Sequence, residues 1–169
     1  MDNYFRGQKY YKQHNISFDE PAAVDIDLFV KHLELLKNGQ SVKIPDFDFV
    51  HFSPIPEAIE VRPTQIIIIE GLFALDSRFK DLTDLNIYVE TDVNGRLIRR
   101  VLRDVSRTKQ KVSDIVDLFL RQVNVMHSEY VDPQKKYADI IIHNEFIPSL
   151  EQKNLDIKHY LATHNIPKL

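Results

Sequence analysis

An α/β fold, a parallel sheet with flanking helices, is predicted by three features of the sequence. The run Ile66-Ile67-Ile68-Ile69 is uniformly apolar and β-branched, and Glu70-Gly71 closes it. Two further strand-like runs occupy residues 86–90 and 138–142. Between them the pattern turns helical twice, over 93–107 and 113–131. Strand, helices, strand is the order of parallel pairing with right-handed crossovers. The isoleucine run is expected to be covered on both faces, since burying each such side chain is worth about 1.5–3 kcal/mol.

The other elements follow in chain order. Residues 1–17 are polar and aromatic and read as a loop or short helix. From Pro21 the apolar residues Ile26, Phe29, Val30, Leu33 and Leu36 recur at helical spacing. Asp19 stands before them as a candidate cap, and Asn38-Gly39 supplies the stop. Pro45, Pro54, Pro56 and Pro63 then interleave with Phe47, Phe49 and Phe52. Proline cannot donate to a ladder, so this stretch is an aromatic-rich loop or a short edge hairpin. The helix over 113–131 carries Ile115, Phe119, Gln122, Val123 and Met126 along one stripe, and Pro133 is expected to end it. A weaker helix is predicted over 150–162.

Composition narrows the function classes. The length of 169 residues suits one domain, and a net charge of -3 argues against a protein that seeks nucleic acid with its whole surface. No cysteine is present, which removes disulfides, thiolate metal sites and cysteine nucleophiles. The start of the chain lacks the basic-then-apolar pattern of a signal peptide, and no apolar run approaches the roughly 20 residues needed to cross a bilayer. The chain is read as cytoplasmic.

Carboxylates and arginines supply the candidate chemistry. Glu70 ends a predicted buried strand, where ligands of parallel sheets collect, and a carboxylate there suits Mg²⁺ or plain solvent. Asp2, followed closely by Tyr4 and Phe5, suits a general base beside a stacking surface. Arg96, Arg99, Arg100 and Arg103 fall at i, i+3, i+4 and i+7, which places them on one helical face. Their mutual repulsion is relieved by bound anions such as nucleotide phosphates, or by neighbouring acids such as Asp92 and Asp104. Arg107, Lys109 and Lys111 extend the basic run into a loop. The histidines show no metal-ligand spacing, and no hydrolase elbow is present.

Taken together, these segments resemble the uridine kinase family of P-loop kinases, collinearly from Met1 to about His143. Asp2-Asn3-Tyr4-Phe5 is similar to the family's D-S-F/Y-Y, and Phe18-Asp19-Glu20-Pro21-Ala22-Ala23-Val24-Asp25 to its F-D-H-P-D-A-F-D. Ile44-Pro45-Asp46-Phe47-Asp48-Phe49 resembles I-P-x-Y-D-F, and Ile67-Ile68-Ile69-Glu70-Gly71-Leu72 resembles V-I-L-E-G-I. The segments 96–104 and 135–142 are similar to R-L-x-R-R-x-x-R-D and K-x-Y-A-D-I-I-I. The resemblance implies ATP-dependent 5′-phosphorylation of uridine or cytidine with Mg²⁺. It implies Asp2 as base, Asp19 on the ribose with Phe18 beside it, and Phe47, Phe49 and His51 around the pyrimidine. Arg100 would touch substrate, Arg99, Arg103 and Arg107 phosphates, and Glu70 the metal. Residues 40–63 would form the nucleoside-pocket loop or hairpin, and 93–131 the arginine helix, lid and following helix, within one domain.

Departures from the family pattern are specific. The family opens with a strand and a G-x-x-x-x-G-K-S/T loop, and Gly7, Gly39, Gly71 and Gly95 make no such loop. The expected fold is thus the P-loop nucleoside-kinase architecture without its first strand and phosphate loop. The lid sequence E-R-G-R is replaced by Arg107-Thr108-Lys109-Gln110, the pocket tyrosine by Phe47, and the lid-helix glutamine by Leu118. The isolated chain is expected to be inactive, with ATP binding in doubt. The alternative is a non-catalytic nucleoside- or phosphate-binding pseudokinase or regulatory subunit. Expected partners are a pyrimidine nucleoside, a second copy or a complete kinase subunit, with no membrane. Binding of nucleic acid through the 96–111 segment is the least favoured reading.

Overall fold

A computed structural model describes residues 1–108 and 110–146. Lys109 and the predicted helix at 150–162 lie outside the described residues. The elements in order are α1 (Gln8–His14), α2 (Ile26–Lys37), β1 (Val42–Asp48), β2 (Ser53–Val61), β3 (Ile87–Glu90), α3 (Val93–Thr108), α4 (Val112–Leu118) and β4 (Ile140–His143). The fold is α/β with a parallel sheet and flanking helices. β3 and β4 pair in parallel, from Ile87 opposite Ile140 to Glu90 opposite His143. Between them α3 and the helical stretch that starts at α4 form the crossover.

The proline-rich stretch is an antiparallel hairpin, β1 against β2. Its register shifts between Ile44 and Asp46, around Pro45, where proline has no N–H to give and a bulge absorbs the loss. Gly7 closes the N-terminal segment onto this hairpin. At φ +88° it holds a conformation that side chains disfavour, and a Cβ there would meet Pro54 at 2.8 Å.

The core is aromatic and belongs to the N-terminal half. Tyr4 meets Phe29 edge-on at 4.9 Å, Phe29 meets Phe79 at 5.3 Å, and Phe5 stacks on Phe18 at 4.0 Å. The backbone fixes the same packing: Phe5 bridges Val24, Arg6 N donates to Ala23 O, and Asp25 N donates to Tyr4 O. Phe73 and Phe79 close the cluster from the far side.

Two expectations are corrected. Ile66–Ile69 is not a strand: it makes no ladder with any described segment, and Ile66 and Ile68 are 78% and 79% exposed. Apolar, β-branched sequence favours extended backbone, but a strand needs a neighbour to take its hydrogen bonds. Asp19 does not cap α2. Asp25 does, accepting from Leu28 N at 3.2 Å, and the short turn Pro21–Ala23 separates Asp19 from the helix.

α4 continues through residues 119–131 in a helical path with two wide turns, Phe119–Val123 and His127–Val131, closed by i→i+5 bonds. Pro133 does not end it abruptly; it sits at the start of a tighter helical segment, Asp132–Tyr137, where its missing N–H costs nothing. We call 112–131 the long helix below.

Candidate functional site

Asp19 and the arginine row of α3 share one cleft. Its lining includes Asp19, Leu72, Arg96, Arg99, Arg100 and Arg103, closed at the back by Phe119, Val123, His127 and Val131 of the long helix, with a volume of about 310 Å³. The helical spacing that aligned the arginines in sequence therefore aligns them in space. The reading that neighbouring acids pair with the row holds in part. Asp104, buried at the row's foot, accepts from Arg103 Nε at 2.7 Å and forms an ion pair with Arg100 at 3.3 Å. Arg99 donates to Thr91 Oγ1 and Asn144 Oδ1, and Arg96 to Asn124 Oδ1. Asp92 pairs with none of them; it caps α3 through Gly95 N.

Four guanidinium groups set against Asp104 at the foot and Asp19 across the cleft leave an excess of positive charge, which favours an anion. Asp19 faces that charge. Burial raises its carboxyl above the ordinary range, while Arg100 and a hydrogen bond from Gln122 pull it back. Burial also lowers His127, with Arg96 adding to the effect against Asp132, so the imidazole is held toward its neutral form.

The other candidates lie around this cleft or apart from it. Phe18, next to Asp19, belongs to an aromatic wall that runs through Phe47 at 6.3 Å to Phe49, itself 4.9 Å from Phe47. Phe49 is half exposed, so the wall has an open face. Asp2 and Glu70 do not line the cleft; Met1, next to Asp2, donates its amine to Glu70 O at 2.6 Å. Gly71 makes that approach possible, since a Cβ there would strike Met1 at 2.8 Å. Leu72, next along, lines the cleft. His51 is set apart on the hairpin turn, bonded to Asp48 Oδ2 at 2.5 Å, and that bond holds the Asp48 carboxyl low. Arg107 is exposed at the end of α3 and outside the cleft.

Three residues that hold the site were not singled out as functional in the sequence. Gln134, in the segment Asp132–Tyr137, is buried and ties the loop after Glu70 to the long helix: it donates to Leu72 O at 3.0 Å and to Tyr130 O at 2.7 Å, and accepts from Leu75 N at 3.2 Å. Gln122 reaches Ser17 Oγ at 2.6 Å. A glutamine on an otherwise apolar stripe is the signal for the last, because a half-buried amide needs partners. Nothing local marks Ser17.

A larger hollow of about 600 Å³ opens at the carboxyl ends of β3 and β4, lined by Tyr88, Glu90, Asp92, Asp132 and His143 among others. It shares Arg96 and His127 with the arginine cleft. Glu90 is held low there by Lys135, its closest partner, with His143 at 2.9 Å on the other oxygen. No cluster of three metal-ligating side chains exists among the described residues, and no described helix is long and apolar enough to cross a membrane.

Comparison with known proteins adds the following. Residues 1–148 match the model of the phosphoribulokinase/uridine kinase family. A uridine kinase of Macrococcus caseolyticus is 36% identical over 146 residues, which span 84% of this chain and 71% of that protein. A uridine kinase of Clostridium perfringens is 37% identical, over 84% and 70% of the two chains. Among solved structures, a candidate fructose transport system kinase from a Silicibacter species superposes with a TM-score of 0.62 at 20% identity, over 83% of this chain and 71% of the other. A Saccharomyces cerevisiae protein described as a P-loop-containing kinase with a circular permutation gives 0.66 at 16% identity, over 87% and 57%. At those identities the two structures speak to the fold alone.

Proposed function

Because the chain belongs to the phosphoribulokinase/uridine kinase family, we propose that it builds the nucleoside-facing side of a phosphoryl-transfer site for a pyrimidine nucleoside. The observation that carries this reading is the single cleft in which Asp19 faces Arg96, Arg99, Arg100 and Arg103. A carboxylate accepts hydrogen bonds from two sugar hydroxyls, and guanidinium groups beside it take the charge of a phosphate. On this reading Phe18, Phe47 and Phe49 offer the base a stacking wall, with the hairpin at 40–63 carrying most of it. Asp2 takes the proton of the attacking hydroxyl, Arg99, Arg100 and Arg103 hold phosphate oxygens, and Arg107 joins from the lid within 93–131. His51 would reach the base only if the hairpin turn moved.

Glu70 fits a role at Mg²⁺, because that ion is commonly held by one or two carboxylates, with water and substrate phosphates completing the shell. The ion, when bound, would neutralise charge on the transferring phosphoryl group. The residues here do not fit the triphosphate of ATP, since the 169 residues contain no G-x-x-x-x-G-K-S/T run. We therefore propose that these residues by themselves bind nucleoside without turnover. The replacement of the lid sequence E-R-G-R by Arg107-Thr108-Lys109-Gln110 favours a second reading, a non-catalytic nucleoside-binding subunit in pyrimidine salvage, in the cytoplasm, acting beside a complete kinase. Calorimetry with uridine, UMP and ATP, joined to an assay for UMP formation, tests this. Uridine bound, ATP unbound and no UMP formed is the expected result. UMP formation by the pure chain would contradict the lack of turnover, and absence of both uridine and UMP binding would remove the nucleoside site.

A further inference from the structure

The Ser17 hydroxyl links Gln122 of the long helix to the loop that carries Asp19. Gln122 Nε2 donates to Ser17 Oγ at 2.6 Å, and the same oxygen accepts Asp19 N at 3.1 Å. The Gln122 amide also lowers the Asp19 carboxyl against the effect of burial. Ser17 is pinned in turn, its N–H donating to Glu20 Oε1 at 2.5 Å. Gln122 lies within the wide turn Phe119–Val123, whose first and last residues both line the cleft. Wide turns of this kind re-aim side chains and recur at functional sites. With two N–H donors, one amide can serve both Ser17 and Asp19.

We propose that Gln122 is a positioning residue: its amide fastens the loop that carries Asp19 to the long helix, so that the carboxylate stays set against the arginine row of α3 to receive a vicinal diol. The use of the diol rests on the reading of Asp19 given above; the fastening does not. Around Asp19 stand Arg96, Arg99, Arg100 and Arg103 from α3, His127 from the long helix and Glu20 from its own loop. The arginines keep their charge at any working pH, so Gln122 is the neutral neighbour whose loss Asp19 would register.

Gln122→Met in the full 169-residue chain tests this, with Asp19 followed through its carboxyl carbon by NMR as pH is varied without ligand. Losing a hydrogen bond that favours the carboxylate moves the Asp19 midpoint upward. Ser17→Ala is expected to move it the same way by less, and it carries the test should Gln122→Met fail to fold. Arg121→Ala, on an exposed residue paired with Asp117, should leave it unmoved. An Asp19 midpoint unchanged in the folded Gln122→Met or Ser17→Ala chain overturns the proposal. Uridine affinity of Gln122→Met should fall about tenfold, and more at lower pH, where Asp19 loses its charge first. If the unmodified chain binds no uridine, the reading of the cleft fails while the Asp19 titration still decides the role of Gln122.

Discussion

Ile68 and Phe73 are near neighbours in the chain, yet Ile68 is 79% exposed and Phe73 2%. Phe73 joins Tyr4, Phe5, Phe29, Phe47 and Phe79 in a core whose members all lie within the described residues. Ile68 and Ile66 are left exposed, as are Ile87 and Val89 of β3 and Ile140 and Ile142 of β4. Both regions are rich in apolar residues; they differ in how cover is obtained. An aromatic cluster closes on itself through side chains from nearby turns and a hairpin. An extended segment must find a backbone partner alongside as well as a layer above, and an apolar edge without one is a docking or aggregation surface.

The comparison can be broken most sharply by truncating its two ends. Phe73→Ala should destabilise the chain by about 3–5 kcal/mol in chemical unfolding, as loss of a fully buried aromatic does. A cost near zero would mean that the aromatic cluster is not what holds the fold.

Asp19 comes next. Asp19→Asn should weaken uridine binding about 10- to 100-fold by calorimetry, since hydrogen bonds to a charged acceptor are the strong ones. Stability should not fall with it. Burial raises the folded carboxyl, so its contribution to stability is full in acid below the unfolded value and is lost as pH rises through the folded one. At neutral pH the unfolding midpoint of Asp19→Asn should therefore match or exceed that of the parent. A large loss of stability would recast Asp19 as structural.

Arg103→Ala is expected to lower UMP affinity by about tenfold while sparing uridine, and to flatten the salt dependence of UMP binding. Equal loss for both ligands would place Arg103 on the nucleoside. The smallest effect belongs to Ile68→Ser, which should change stability by no more than about 0.5 kcal/mol, as exposed substitutions do. A larger destabilisation would show that the isoleucine run is covered after all.

What was legible in the sequence follows the same division. The extent of α3 and its arginine row were readable because helical periodicity is local and the row needs only one element. The parallel pairing of β3 with β4 was readable from the order of elements. The isoleucine run was misjudged because composition registers a demand for burial, while the ladder partner that would meet it is not a local property. Asp19 and Asp25 could each have capped α2 by residue type; only the turn at Pro21–Ala23 decides for Asp25 and leaves Asp19 to face the cleft. The bond from Gln122 to Ser17 joins residues 105 apart and leaves no local trace beyond a polar residue on an apolar stripe.

The central claim, that a cleft holding Asp19 and the α3 arginines, with the aromatic wall beside Asp19, receives a nucleoside, is tested most directly by titrating uridine into isotope-labelled chain. The account predicts that the Asp19 carboxyl, the Phe47 ring and the Arg100 guanidinium shift together along one binding curve, while the methyls of Ile66 and Ile68 stay still. Shifts confined to the isoleucine run, or to residues outside the cleft, would contradict it.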